Sequence, residues 1–273
     1  IVSKMQENVE NDSDVATLAI GKRDGKTNNL VLNMRATLQI TDGLSWDNFI
    51  STQKSEWEEN SYKTQFYPSL VGTNATPGVA GEAEISNGRN SNSQLESVVN
   101  YATSFGNHDL QLIAGYSFQE FVESSSYVGN SNFDTDVYGY NNIGAGSYFY
   151  QGKGYLGSYK QSSRLIALFA RASYNFNERY LLSASLRREG SSKFGDNHKW
   201  GLFPAVSAGW RIKKENFLSD VTWIDELKLR AGFGVTGNQD FDPYKSRILL
   251  ARSGSLYYNE QWINAFEPAQ NPN

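Results

Sequence analysis

Cysteine is absent from the 273 residues, histidine occurs twice and proline six times. Without cysteine there can be no disulfide framework and no thiolate chemistry, although this says little about compartment. His108 and His198 both fall in turn sequences, so neither a Ser-His-Asp triad nor a multi-histidine metal site is indicated. Long apolar runs are missing too. The longest, Leu165 to Ala170, spans six residues, far short of the roughly 20 that a membrane-crossing helix needs. Mean hydropathy is -0.54. The net charge of -4, with basic residues scattered, offers no nucleic-acid footprint.

What is present is aromatic and glycine-rich: 16 Tyr, 15 Phe, 6 Trp and 24 Gly. That balance suits strands joined by glycine-containing turns, and the hydrophobic pattern agrees. In Leu30 to Ile40, Leu30, Leu32, Met34, Ala36, Leu38 and Ile40 alternate with Val31, Asn33, Arg35, Thr37 and Gln39, the period of a strand with two unlike faces. Asp42-Gly43 predicts a tight primed turn into a weaker strand over Leu44 to Lys54. The same alternation predicts strands over Gln94 to Phe105, Asp109 to Phe121, Arg164 to Phe176, Arg179 to Glu189, Leu202 to Ile212 and Glu226 to Thr236. Lys213 to Asp225 reads as a connector with helical character.

Two long stretches break this pattern. Ser55 to Ser93 and Val122 to Ser163 are rich in Asn, Ser and Gly and are studded with aromatics. They read as loops far longer than ordinary hairpin connections. Connectors that are short, long, short, long, short match an outer-membrane barrel, with short turns on one side and long loops on the other. Such a barrel hides its membrane signal in alternation. Tyr174, Phe176, Tyr180, Phe105, Trp210, Phe217 and Trp223 gather near turns assigned to one side, as an interfacial girdle would. A soluble β-sandwich with aromatic corners is the competing reading.

Motifs that could carry catalysis fail on context. Gly232-Phe-Gly234-Val-Thr-Gly237 has dinucleotide-binding spacing, but the sequence after it is loop rather than the required helix. Asn11 to Asp14 and Asp134 to Asp136 could hold calcium, and a solvated loop is the plainer reading. No residue stands out as catalytic, and no cofactor or metal is implied.

One block is more specific. NERYLLSASLRREGSSKFG, WGLFPAVSAGWRI, ENFL and WIDELKLRAGFGVTGNQ follow in order from Asn177 to Gln239. Arg187, Arg188, Gly190, Ser191, Ser192, Phe194, Gly195, Trp200, Gly201, Phe203, Pro204, Gly209 and Trp210 together resemble the barrel landmarks of SusC/RagA-type TonB-dependent outer-membrane transporters. The resemblance implies an all-β, antiparallel up-and-down transmembrane barrel of about 22 strands, with roughly eight carried here, long extracellular loops and an outer-membrane location. Neither plug, TonB box nor signal peptide is legible, and Asn271-Pro272-Asn273 looks like a landmark cut short. The expectation is therefore an internal fragment of the barrel over residues 1 to 273.

The same resemblance implies import of an oligosaccharide or peptide with a SusD-like surface lipoprotein, energised by the TonB complex through the plug, with outer-membrane lipid around the barrel. Siderophore or cobalamin uptake is the alternative within transport. A surface adhesin or soluble glycan-binding module is the alternative outside it. The landmark residues are expected to be structural, with Gly190 and Gly195 serving turns and Trp200 and Trp210 serving girdles or lumen packing. The residues expected to meet cargo or partner are the aromatics of the two long stretches: Trp57, Tyr138, Tyr140, Tyr148, Tyr150 and Tyr155. They would sit on a backbone free to move.

Overall fold

The computed structural model describes residues 21–65, 67, 81–247 and 250–268. The Asn11 to Asp14 run and Asn271 to Asn273 lie outside them. Eight strands form one sheet in chain order: β1 (Gly21–Thr41), β2 (Leu44–Lys63), β3 (Glu82–Phe105), β4 (His108–Ser131), β5 (Tyr155–Phe176), β6 (Tyr180–Ser191), β7 (Trp200–Arg211) and β8 (Lys228–Gly234). Each pairs with its neighbours in sequence, as in an up-and-down antiparallel meander. A separate hairpin follows, β9 (Leu250–Tyr258) and β10 (Gln261–Pro268). No helix among the described residues is long and apolar enough to cross a membrane.

The turn chemistry explains the hairpins. At Asp42-Gly43 only the glycine has positive φ, +79°. The turn is thus not the primed type predicted, since both primed types need positive φ at the first central residue, here Asp42. A side chain at Gly43 would lie 2.1 Å from the Ala102 carbonyl oxygen, so the position admits glycine alone. Asn177 and Glu178 both take positive φ, 53° and 51°, and make the primed turn between β5 and β6. Asn259-Glu260 repeats the dipeptide and the geometry between β9 and β10, a hairpin that the sequence reading missed. The Asn177 amide donates to the Asn107 carbonyl at 2.7 Å, so the β3–β4 and β5–β6 turns lie side by side.

The chain divides into two compact units, and β1 to β5 contribute residues to both. The first holds the described residues within Ile1–Val31, Gln53–Ser91 and Val122–Gln161; the second holds Leu32–Thr52, Asn92–Phe121 and those from Ser162 onward.

In the second unit the sheet has one apolar and one polar face. Register places Leu168, Ala170, Ala172 and Tyr174 of β5 on the face of Tyr180, Leu182, Ala184 and Leu186 of β6, and of Leu202, Val206, Ala208 and Trp210 of β7. Leu229, Ala231 and Phe233 of β8 continue it. Leu32, Leu168, Leu182 and Leu229 are each more than half exposed. The opposite face carries Arg171, Ser173, Asn175, Ser183, Ser185, Arg187, Ser207 and Arg230. Asp47 on that face accepts bonds from Thr37 and from Asn100 (2.7 Å), and Asp109 from Ser104 (2.6 Å) and Asn175 (3.0 Å). A protein in water would cover so large an apolar surface.

Pro204 sets where the β7–β8 ladder stops. Its carbonyl accepts from the Val235 amide at 2.9 Å, but its ring nitrogen has no proton to return. β8 accordingly ends at Gly234, two residues before the predicted end at Thr236. The Lys213 to Asp225 connector holds two short 3-10 turns, Ile212–Lys214 and Asn216–Leu218.

The first unit corrects the reading of the two long stretches. Ser55 to Lys63 belongs to β2, Glu82 to Ser93 to β3, Val122 to Ser131 to β4 and Tyr155 to Ser163 to β5. The β4–β5 connection shrinks to residues 132–154 and has a core of its own. Tyr62, Ala83 and Phe133 are buried there, with Tyr140 and Ile143 packed against them. The Tyr62 hydroxyl donates to Asp136 at 2.6 Å, which places the supposed calcium run in a packing role. Asn130, 1% exposed, is the fixed point of this loop. Its amide donates to the Ile143 (2.8 Å) and Gly146 (2.6 Å) carbonyls and accepts from the Ser131 (2.9 Å) and Phe149 (3.2 Å) amides. Four satisfied bonds on a buried amide hold a loop in one arrangement, contrary to the expectation of a freely moving backbone.

Candidate functional site

The aromatics singled out from the sequence fall into two groups. Trp57 and Tyr155 lie in strands, each flat against a glycine on the neighbouring strand. A Cβ at Gly88 would meet three atoms of the Trp57 indole at 2.5 Å, and one at Gly129 would meet the Tyr155 ring at 2.1 Å. Tyr127 does the same over Gly157, at 2.6 Å. Tyr127, in the same Val122 to Ser163 stretch, was not among the residues singled out. The Tyr127 and Tyr155 rings meet at 6.3 Å and 48°.

Around them stand carboxylates and hydroxyls. The Tyr155 hydroxyl donates to Glu84 at 2.9 Å, and the Ser86 hydroxyl donates to the same residue at 2.9 Å. Desolvation and the Glu84 carboxylate push the Tyr155 phenol well above its ordinary value, so it stays a donor. Gln161 donates to Glu123 at 2.6 Å. Arg23 pairs with Glu59 at 2.6 Å and Lys63 with Glu82 at 2.7 Å.

The other group sits in the 132–154 connection. Tyr140 donates to Asp24 and lies under Lys22, and Tyr148 lies under Lys153. The Tyr148 carbonyl also closes the turn, accepting from Lys153 (2.8 Å) and Gly154 (3.1 Å). Tyr138 and Tyr150 are 56% and 86% exposed. Of the six residues, these two present their rings most openly to solvent.

The landmark residues take defined places in the second unit. On the polar face Arg187 pairs with Glu189 at 2.6 Å and lies over Phe169. On the apolar face Arg188 lies 4.9 Å from the Trp200 ring, which covers Gly190. Gly190 thus serves close approach inside β6 rather than a turn. The Ser191 amide donates to Lys199, and Ser192 binds the Arg164 backbone through both its amide and its hydroxyl, at 2.9 and 2.8 Å. Phe194 meets Phe241 edge-on at 5.0 Å, and the Gly195 carbonyl accepts from His198. Phe203 covers Gly201 and Gly237, while Gly209 sits opposite Leu181. Trp200 and Trp210 share the apolar face.

At the β7–β8 turn, Glu215 accepts from the Tyr180 hydroxyl (2.7 Å), Trp210 Nε1 (2.9 Å) and Arg179 (3.3 Å). The Tyr180 bond first, then Trp210, holds its carboxyl below the usual range. Beside it Phe105, His108, Phe176 and Tyr180 stack in a row, with centroid separations of 4.9, 4.8 and 6.2 Å. His108 Nδ1 bonds the Tyr174 hydroxyl at 2.6 Å. Amphipathic rings with their polar ends satisfied, at the border of an apolar band, are what an interface between lipid and water selects.

A meander with one apolar and one polar face, bordered by aromatic rings, is part of the wall of a β-barrel. The chain belongs to the TonB-dependent receptor family, matching the model described as TonB dependent receptor-like, beta-barrel over residues 6–271. It is 31% identical to TonB-dependent receptor P3 of Formosa agariphila over 96% of its own length and 25% of that protein's. To TonB-dependent receptor SusC of Bacteroides thetaiotaomicron it is 43% identical over 30% of its length and 8% of that protein's. In fold it is similar to the RagAB peptide transporter, with a TM-score of 0.81 at 19% identity over 95% of this chain and 28% of that one. The chain spans at most about a quarter of the length of these curated relatives.

Proposed function

We propose that the chain is part of an outer-membrane TonB-dependent transporter that imports oligosaccharides or peptides together with a SusD-like surface lipoprotein. It acts as a carrier, not an enzyme. One observation carries the reading: the apolar face is as tall as a membrane and is fenced by aromatics at both ends. Trp200 and Trp210 stand on that face ten residues apart on β7. At about 3.3 Å per residue and a tilt near 40°, that is roughly 25 Å, the height of an outer-membrane apolar band. Between them Leu202, Pro204, Val206 and Ala208 face the same way. The apolar face then meets lipid, and the polar face, with Arg35, Gln111, Lys228 and Arg230, lines the lumen.

The test uses the full-length transporter that carries this chain. Outer-membrane fractionation should find it in the membrane, and uptake of labelled oligosaccharide or peptide should stop when TonB is removed. Cross-linking should recover a surface lipoprotein. Uptake of an iron chelate instead would move the cargo to siderophores, and a protein that carries nothing across the membrane would overturn the transport reading.

A further inference from the structure

We infer that Arg188 and Trp200, with the groove below them on the apolar face, hold a phosphate-bearing membrane lipid of the leaflet on the long-connector side. The inference rests on the reading that this face meets lipid. Arg188 stands on the apolar face of β6, paired with Leu168 of β5 and Leu202 of β7. Among the described residues its guanidinium meets the Trp200 ring, 4.9 Å away, and no carboxylate or carbonyl. The neighbouring cations are all engaged. Arg187 pairs with Glu189 on the polar face, and Arg164, which shares the parity of Leu168 on β5, is held by Glu120 at 2.6 Å. A guanidinium carries only donors, and leaving them unmet at the edge of an apolar layer is costly. Arg188 faces away from the polar side, so nothing held in the lumen reaches it.

Its height selects a headgroup. β6 runs from the short Asn177-Glu178 turn to Ser191, and Arg188 stands eight residues beyond Tyr180 on the same face. At about 3.3 Å per residue and a tilt near 40°, that is roughly 20 Å, which brings the guanidinium to the far border of the band, where lipid phosphates lie. Trp200 backs the guanidinium and is itself seated on Gly190, where a Cβ would meet the indole at 2.8 Å. A guanidinium held against a ring keeps its N–H edge free for bidentate bonding to phosphate.

Directly below lies room for an acyl chain. The register steps down from Arg188 with Leu168 to Leu186 with Ala170 and then Ala184 with Ala172. There a groove of about 640 Å³ is floored by Ala170, Ala172 and Ala184 and walled by Tyr101, Leu112 and Leu186. Burial from water adds nothing inside a bilayer, so the gain is dispersion contact along a chain laid in the groove. Phosphate at one end and hydrocarbon down the alanines describe one molecule, a lipid, which a free anion does not match. A second copy of the same face would bring no anion to Arg188, since from β5 to β8 the band carries no carboxylate on that face.

The experiment takes the purified full-length transporter in detergent and measures, by native mass spectrometry, its binding of monophosphoryl lipid A, of the same lipid with the phosphate removed, and of inorganic phosphate. Monophosphoryl lipid A should bind, and the dephosphorylated lipid should bind about tenfold more weakly. Inorganic phosphate in large excess should not displace it, since it leaves the groove empty. Arg188→Gln should weaken the lipid about tenfold and Arg188→Lys less, because the charge remains and the fork is lost. Ala184→Leu, which fills the groove and leaves Arg188 in place, should weaken it several-fold, whereas Ala36→Leu on the same face of β1 should not. Heat-modifiable mobility on gels checks that each variant is folded. Unchanged affinity in Arg188→Gln would overturn the site, and so would equal binding of the two lipids. A shift from dimer to monomer in Ala184→Leu at unchanged lipid affinity would overturn it too and give the groove to a second copy. A transporter that fractionates with the outer membrane and imports its cargo yet ignores the phosphate overturns the lipid site alone, whereas absence from the membrane fraction would overturn the lipid-facing reading as well.

Discussion

The same strands carry two different sequence patterns. In β1, Leu30 to Ile40 alternates apolar and polar residues, while Lys22 to Asn28 is polar on both faces, yet the strand is continuous from Gly21 to Thr41. β4 repeats the contrast between His108 to Phe118 and Glu120 to Ser131, and β5 between Arg164 to Phe176 and Tyr155 to Ser163. Backbone hydrogen bonding is the same in both; what differs is what each face touches. Alternation marks a strand with lipid or core on one side and water on the other, and it disappears where both sides meet water. A reading based on alternation therefore finds the two-faced band and stops at its border. The strands themselves go on.

The sharpest way to break that comparison is to put a charge on each face in turn. Leu182→Arg places a guanidinium on the apolar face between Tyr180 and Ala184, whereas Ser183→Arg places it on the polar face beside Ser173 and Ser207. In the intact protein unfolded from bilayers, Leu182→Arg should cost roughly 2 to 4 kcal/mol and Ser183→Arg well under 1. The same substitution pair at Ser124 and Ser125, in the part of β4 that is polar on both sides, should show no such asymmetry. Equal costs at Leu182 and Ser183 would remove lipid from the account.

A second test concerns how the 132–154 connection is held. Asn130→Leu fills the space but abandons the Ile143 and Gly146 carbonyls and the Ser131 and Phe149 amides. It should destabilise the connection by about 1 to 3 kcal/mol, seen as faster amide exchange over residues 132–154 with exchange in β6 and β7 unchanged. Uniform exchange changes across both units would show that the loop has no separate core.

Function gives a third comparison, between the rings that project and the rings that pack. Removing Tyr138 to Lys153 in the full-length transporter, with a short Gly-Ser bridge, should weaken lipoprotein partner retention or uptake several-fold while heat-modifiable barrel mobility on gels stays normal. Tyr150→Ser, which removes the most exposed ring of the six, should give part of that loss. Normal uptake and partner retention in both would leave the connection as packing between loops.

The legibility of the chain follows the same border. All eight strands of the sheet were readable because each has a segment in which apolar residues recur at alternate positions, most weakly in β2, where Asn48 and Thr52 interrupt the set. The short turns were readable because Gly43, Gly106 and Asn177 carry the conformational signal in their own identity. The strand extensions were not readable, since polar residues on both faces look like loop. The β9–β10 hairpin escaped for another reason: Trp262, Tyr257, Leu256 and Ile263 put apolar residues on both faces, so its strands lack the alternation that marked the others. Of the candidate site, the aromatics were visible as composition. Their pairing with glycines across the sheet was not, because Trp57 and Gly88 become neighbours only once β2 and β3 are in register.

The smallest effect expected concerns the aromatic border at the short-turn side. Glu215 gains its hydrogen bonds from Tyr180, Trp210 and Arg179 only in the folded state, and its folded carboxyl is held below the unfolded one. The sign follows from that direction: folding favours the carboxylate, so its contribution is present above the ordinary glutamate range near 4.3 and is lost as pH falls through the lower folded value. Glu215→Gln removes the charge while keeping an acceptor. In the full-length protein in detergent, the variant should therefore melt slightly lower than the parent at pH 7, with the gap closing below about pH 4. Tyr180→Phe, which deletes the bond that lowers the carboxyl most, should move the closing point upward toward the ordinary value. A gap that stays constant from pH 7 to pH 3 would mean that Glu215 is tied down by packing and not by its charge.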